Sequence, residues 1–244
     1  MITETKKLKS IILSSERIVF FGGAGVSTES GIPDYRSVDG LYNQKYKNPP
    51  EIMLSHSFFV ENPEEFFDFY KNKMMYLEAE PNPAHYFLAE LEKQGKLTAV
   101  ITQNVDGLHQ KAGSERVFEL HGSIHRNFCT WCGAEYSAEF VKNSDGIPTC
   151  TKCGNIVKPD VVLYEEQLDH EVISGAVKAI ENADTLIIGG TSLAVYPAAG
   201  LIDSFHGDNL ILINKSATNK DSLADLIIRE PIGSCFAKIK SLCG

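Results

Sequence analysis

Arg17-Ile18-Val19-Phe20-Phe21 runs without a break into Gly22-Gly23-Ala24-Gly25. Four consecutive β-branched or aromatic residues suit a strand buried on both faces. A helical stretch over 9–15 leads into it, and the glycines after it make a tight turn. Strand, glycine turn and then helix is the order of a phosphate-binding βα unit. In such a unit the turn's backbone approaches a pyrophosphate and the next helix N-terminus stabilises its charge. The third glycine of the usual dinucleotide fingerprint is missing, because position 28 is Thr28. Standing alone, the turn equally well closes a corner that binds nothing.

Further along the chain, short apolar runs recur at 97–102, 117–120, 161–164, 185–190, 210–214 and 226–228. Helix-length amphipathic stretches lie between several of them, at 83–93, 169–182 and 196–205. Apolar strands alternating with helices predict an α/β fold, a Rossmann-like parallel sheet with helices on both faces. Two segments interrupt the alternation. Residues 38–80 are loop-rich and then helical around 63–77, and 125–158 carry four cysteines among turn glycines. The expectation is one catalytic unit over 1–244. Its large Rossmann-type domain takes in about 1–37, 81–124 and 157–244. Its small domain joins the helical insertion at about 38–80 to a zinc-ribbon module at about 125–156.

The 244 residues are 43% apolar and 9% aromatic, enough for a packed core. No run of 18 apolar residues is present, and the lysine-bearing first ten residues lack the apolar stretch of a signal peptide. The expected address is therefore the cytoplasm, with no membrane contact. A net charge of −9 argues against direct nucleic-acid binding and suits basic protein segments as partners. A monomer is expected.

Three strand ends carry candidate chemistry. Residues just past a strand's C-terminal end line the ligand crevice of an open α/β sheet. Gln103, Asn104 and Asp106 follow the 97–102 strand, placed to hydrogen-bond an amide or sugar hydroxyls, with helix capping by Asn104 or Asp106 as the plainer reading. His121-Gly122 follows the 117–120 strand, and of the seven histidines His121 is the candidate general base. His109 ranks next; His56, His85, His125, His170 and His206 read as structural. Gly190-Thr191-Ser192 ends another strand and Asn214 another, where an adenosine could lie.

Cys129-x2-Cys132 and Cys150-x2-Cys153 are separated by 17 residues, the spacing of two knuckles sharing one tetrahedral zinc ion. Four thiolates close the coordination shell, so the metal is expected to be structural. Cys235 and Cys243 stand apart and read as core thiols.

In combination these segments resemble the sirtuin family, in bacterial form, over nearly the whole chain. The resemblance is carried by Gly23-Ala24-Gly25-Val26-Ser27 through Gly31-Ile32-Pro33-Asp34-Tyr35-Arg36, by Gln103, Asn104 and Asp106, and by His121-Gly122. The paired cysteines, Gly190 to Ser192 and Asn214 complete it in the same order. It implies an NAD-dependent protein deacetylase that consumes NAD, frees lysine, and releases nicotinamide and O-acetyl-ADP-ribose. His121, Asn104 and Asp106 would be catalytic. Ala24, Thr28, Tyr35 and Arg36 would contact the cofactor. Val105 and Asp106 would line the nicotinamide pocket, Gln103 and Asn104 would address the ribose, and Thr191, Ser192, Asn214 and Ile232 would hold the adenosine end.

The chain departs from that family's pattern in two places. Tyr35 stands where phenylalanine is usual, and Tyr164-Glu165-Glu166 replaces Phe-Gly-Glu in the segment that pairs with substrate backbone. Family members that prefer acidic acyl groups share a Tyr-x-x-Arg pair; here Tyr70 is followed by Lys73. A solvated helix lysine is the more ordinary reading, so plain deacetylation is expected over succinyl or longer acyl groups. Mono-ADP-ribosyl transfer and a non-enzymatic zinc-ribbon binding module are the alternatives.

Overall fold

A computed structural model of the chain describes residues 2–34 and 48–241. Six parallel strands form the main sheet. In chain order they are β1 (Ile18–Gly22), β2 (Leu97–Thr102), β3 (Val117–Glu119), then β7 (Thr185–Gly189), β8 (Asn209–Ile213) and β9 (Leu226–Ile228). Strands β4 to β6 lie elsewhere and are described below. Their spatial order is β3-β2-β1-β7-β8-β9. Counted within the sheet alone, that is the doubly wound order 3-2-1-4-5-6, which reverses direction between β1 and β7. Gly22 pairs with Gly189 there, so both strands reach the crevice in register.

Period-2 alternation explains how the sheet is covered. Ile18 and Phe20 point into one core, with Leu8 and Ile12 of α1 (Ile2–Ser14), Phe87 and Leu88 of α5 (Pro83–Lys93), and Phe236 and Ile239 of α9 (Ile232–Ser241). Val19 and Phe21 point the other way, onto Ala176 and Ile180 of α8 (His170–Glu181) and onto Leu201 and Ile202 of a 3₁₀ segment. Every residue of β1 and β7 is buried, as the unbroken apolar runs require.

A second, three-stranded antiparallel sheet holds β4 (Gly122–Cys129) between β5 (Glu135–Tyr136) and β6 (Val157–Val161). It packs with α2 (Pro50–Met53), α3 (His56–Glu61), α4 (Pro63–Lys73) and α7 (Ala138–Asn143) around a separate core dense in aromatic rings, among them Phe59, Phe66, Phe67 and Tyr70. The remaining short helix, α6 (Leu108–Lys111), follows the end of β2.

Three expectations change. The strand expected at 161–164 instead ends at Val161 and pairs antiparallel with β4, outside the parallel sheet. The amphipathic stretch at 196–205 forms a 3₁₀ segment, Ala198–Ser204. Among the described residues the glycine turn after β1 leads not into a long helix but into two three-residue 3₁₀ turns, Ala24–Val26 and Thr28–Ser30. Gly25, Ser27, Thr28, Ser30 and Gly31 favour turns over a continuing helix.

Candidate active site

At the sheet's reversal point a cleft of about 590 Å³ opens between the strand ends and the smaller sheet. The β1 turn and the β7 turn close on each other at its floor. Gly25 N–H donates to the Gly190 carbonyl at 2.7 Å, and a Cβ on Gly25 would lie 2.8 Å from Gly190 Cα. Turn-to-turn packing therefore requires this glycine whether or not a phosphate approaches it. Asn214, at the end of β8, locks the second turn: its Oδ1 accepts from Thr191 N and its Nδ2 donates to the Thr191 carbonyl. Both ends of its amide thus serve the turn. Ala24, Thr28, Thr191, Ser192 and Asn214 line the cleft, as does Ile232, the first residue of α9.

The end of β2 supplies the second wall. Ser27 Oγ, buried beneath the turn, donates to Asp106 Oδ2 at 2.6 Å and accepts from Asn104 Nδ2 at 3.0 Å. Asp106 Oδ1 also accepts from Leu108 N at the start of α6, so this carboxylate caps a helix as well as facing the cleft. Burial pushes the Asp106 carboxyl upward, opposed by the Ser27 and Leu108 donors. Gln103 N donates to Gly22, which fixes the segment to β1. Gln103, Asn104, Val105 and Asp106 all line the cleft.

His121 enters from the turn between β3 and β4. Its Nδ1 lies 2.9 Å from the Gln103 carbonyl, which can only accept, so Nδ1 carries the proton and Nε2 keeps its lone pair. Burial lowers its pKa, with the Gln103 bond opposing, and the imidazole is neutral near pH 7. His109 is no rival: it lies in the core with its ring 4.7 Å from that of His85 and 5.9 Å from that of Phe20. Burial drives His109 well below the ordinary range and lowers His85 to about 4.

Tyr35, Arg36 and Cys243 lie outside the described residues. Cys235 is a core thiol, pushed up to about 12 by burial.

Two side chains that tie down the loop after β1 escaped the sequence. Asn82 caps α5 by accepting from Ala84 N, and its Nδ2 donates to the Val26 carbonyl and Ser30 Oγ. Glu29 accepts from Gly233 N, Ser234 N and Ser234 Oγ at the start of α9. The loop is thereby bound to two helix N-termini. The only local signal was Asn82-Pro83, a cap followed by proline at the first helical position.

The cysteines meet as their spacing predicts. The four Sγ atoms all lie within 4.8 Å of one another, with pairs at 3.4 and 3.6 Å. A tetrahedral zinc with bonds of about 2.3 Å separates its sulfurs by roughly 3.8 Å. Tyr136 donates its hydroxyl to Cys150 Sγ and draws that thiol down to about 6; Lys152 N–H also points at it. Donor set and surroundings fit one closed, structural zinc ion.

On the cleft's other side stand Leu163 to Glu166. Glu165 holds a φ of 76°, which costs a non-glycine residue about 1–2 kcal/mol. Its carboxylate accepts from Ser57 N at 2.9 Å and Ser57 Oγ at 3.0 Å, a cap on α3 that offsets about 1 kcal/mol. Lys73 lines the cleft, whereas Tyr70 is buried in the aromatic core, stacked on Phe66.

A doubly wound sheet with strand-end amides, a neutral histidine and a four-thiol module defines a nucleotide-using enzyme with a structural metal. The chain belongs to the Sir2 family, whose model matches residues 23–197. It is 62% identical over 236 residues to an NAD-dependent protein deacetylase of Clostridium perfringens, covering 96% of this chain and 97% of that one. A protein of the same description from Clostridium acetobutylicum is 61% identical, with 98% and 99% covered. Among solved structures, a Sir2 complex with p53 peptide and NAD+ superposes with a TM-score of 0.87 at 35% identity, covering 98% of each chain. Another Sir2 enzyme gives 0.89 at 43% identity, covering 99% of this chain and 100% of that one.

Proposed function

We propose that this chain removes acetyl groups from protein lysine side chains, consuming NAD and releasing nicotinamide and O-acetyl-ADP-ribose. The observation that carries the reading is His121, neutral and with Nε2 available in a cleft that also presents Asn104 and Asp106. Family membership and relatives named NAD-dependent protein deacetylase support it.

When bound, NAD supplies a glycosidic bond whose cleavage builds positive charge on the ribose. In our assignment the Asp106 carboxylate, fixed by Ser27 and Leu108, and the Asn104 amide dipole face that charge. Gln103 and Asn104 address the ribose, and Val105 and Asp106 bound the nicotinamide pocket. His121 Nε2 takes the proton of a ribose hydroxyl while Nδ1 stays bonded to Gln103, which fixes the tautomer. Ala24, Thr28, Tyr35 and Arg36 contact the cofactor, and Thr191, Ser192, Asn214 and Ile232 hold the adenosine end.

The parallel-sheet part, about 1–37, 81–124 and 157–244, acts as the cofactor domain. The segments at about 38–80 and 125–156 form the small domain, with β4 and β6 as the passage between them. The enzyme acts as a monomer in the cytoplasm on acyl-lysine protein segments, without nucleic acid, in keeping with its acidic balance. No helix among the described residues is long and apolar enough to cross a membrane. Acetyl is the preferred group, since Tyr70 is buried in the aromatic core and a lysine, Lys73, stands at the cleft in place of an arginine that could grip an acidic acyl chain through two bonds.

The test is mass spectrometry of an acetyl-lysine peptide incubated with the protein, with and without NAD. Acetyl loss only with NAD, matched by nicotinamide and O-acetyl-ADP-ribose, is the expected result. ADP-ribose appearing on protein without deacetylation would overturn the reaction, and faster turnover of a succinyl peptide would overturn the acyl preference.

A further inference from the structure

The 163–166 segment does two jobs with one set of atoms. The first N–H groups of α3 need acceptors. His56 N donates to the Tyr164 carbonyl at 3.0 Å, Ser57 N to Glu165 Oε2 at 2.9 Å, and Phe58 N to Ser55 Oγ at 3.1 Å. Two of these three acceptors come from the segment that borders the cleft. Tyr164 N in turn donates to the Leu54 carbonyl at 3.0 Å, so Tyr164 is tied to the α2–α3 corner on both sides. The next residue, Glu166, closes the turn from within: Oε2 accepts from Leu163 N, and Oε1 meets His56 Nδ1.

Among the described residues, the N–H and C=O of Glu165 itself have no protein partner. Its backbone is therefore the open position of the segment, available to an extended peptide that adds alongside. That position has the left-handed φ of 76°, where glycine is ordinarily at ease. A glutamate holds this conformation because its carboxylate is anchored at Ser57 by two hydrogen bonds.

We infer that Glu165 is a positioning residue for the peptide: by capping α3 its side chain holds the segment's open backbone in place for the substrate strand. The inference rests on the deacetylase reading and deepens it. The side chain replaces the freedom of glycine with a fixed edge, so the peptide meets a preorganised partner and loses less entropy on binding.

The test compares Glu165→Gln, Glu165→Gly and Glu165→Ala with the unmodified chain. Two readouts are used: peptide KM, and affinity for a fluorescent acetyl-lysine peptide by anisotropy with ADP-ribose present. Glutamine keeps an acceptor for Ser57 and should bind within about twofold. Glycine tolerates the φ but loses the anchor, and should weaken peptide binding about threefold. Alanine loses the anchor and keeps the strain, and should weaken it about tenfold. kcat and the KM for NAD should stay unchanged throughout. Equal peptide affinity for the alanine variant and the unmodified chain would overturn the inference. So would a glutamine variant as weak as alanine, since charge and not the cap would then be at work. If alanine does not fold, the glycine and glutamine pair decides the matter. An unmodified chain that binds the peptide but leaves it acetylated would instead count against the deacetylase reading.

Discussion

The six-stranded sheet and the cysteine module reach order by opposite routes. Around the sheet, two extensive apolar cores bury both faces of β1 and β7, and hydrophobic burial alone accounts for its order. At the cysteines, short strands and a six-residue helix converge on four thiols, and only Cys129 and Cys150 of the four are buried. Cys129 and Cys150 join the aromatic core, but Cys132 and Cys153 lie exposed, and the turns that carry them depend on metal to hold them. Asn104, Asp106 and His121 sit on the self-sufficient side, just past the ends of β2 and β3, while the opposite wall, with Leu54, Lys73, Met74 and Leu163, is built on the smaller core that the cysteine turns join. The difference separates damage to chemistry from damage to shape.

The largest effect should come from His121→Ala, expected to lower deacetylation by about 10²–10⁴ while zinc content and melting temperature stay unchanged. A steady-state assay beside metal analysis checks this, and loss of zinc in that variant would blur the division. Cys150→Ser attacks the other side. It should abolish stoichiometric zinc and reduce deacetylation by roughly 100-fold, while circular dichroism retains the helices of the sheet. Loss of the whole helical signal would show that the sheet depends on the module after all.

The buried pair His85 and His109 tests the sheet core through pH. Both are held neutral, with native pKa values below the usual 6.5 and that of His85 near 4. Below pH 6.5 the unfolded chain takes up protons that the native core refuses. Stability should therefore fall as pH drops from 6.5 toward 4, by about 1.4 kcal/mol per pH unit per histidine. Denaturant midpoints at several pH values, repeated on His109→Phe, would show whether the slope halves. The same direction of shift in His121 places the acid limb of kcat/KM below pH 6.5, with activity lost as the base protonates. The smallest effect is expected from Glu29→Gln, which weakens the tie between the cofactor loop and α9. It should raise the KM for NAD about threefold with peptide KM unchanged.

Much of this was legible in the chain. The strands at 97–102 and 226–228 and the helix at 83–93 fall where apolar periodicity put them, because burial on both faces leaves an unbroken run and burial of one face leaves a stripe. The cysteine quartet was readable because zinc geometry imposes short-range spacing. The 161–164 strand was misassigned because Val161 to Leu163 has the apolarity of a sheet strand, while its pairing partner lies on β4, some forty residues back. Helix α9 went unnoticed, since one apolar stripe near the end of the chain carries no cap signal of its own.

The sequence by itself marked the strands of the parallel sheet, the thiol set and His121 as the candidate base, because each follows from local pattern or spacing. Only the tertiary structure decided that Gly25 is required by Gly190, that Glu29 reaches α9 across some two hundred residues, and that Glu165 is held by Ser57. Those contacts join atoms far apart in the chain. Their energy depends on distances of a few tenths of an ångström that no local periodicity encodes.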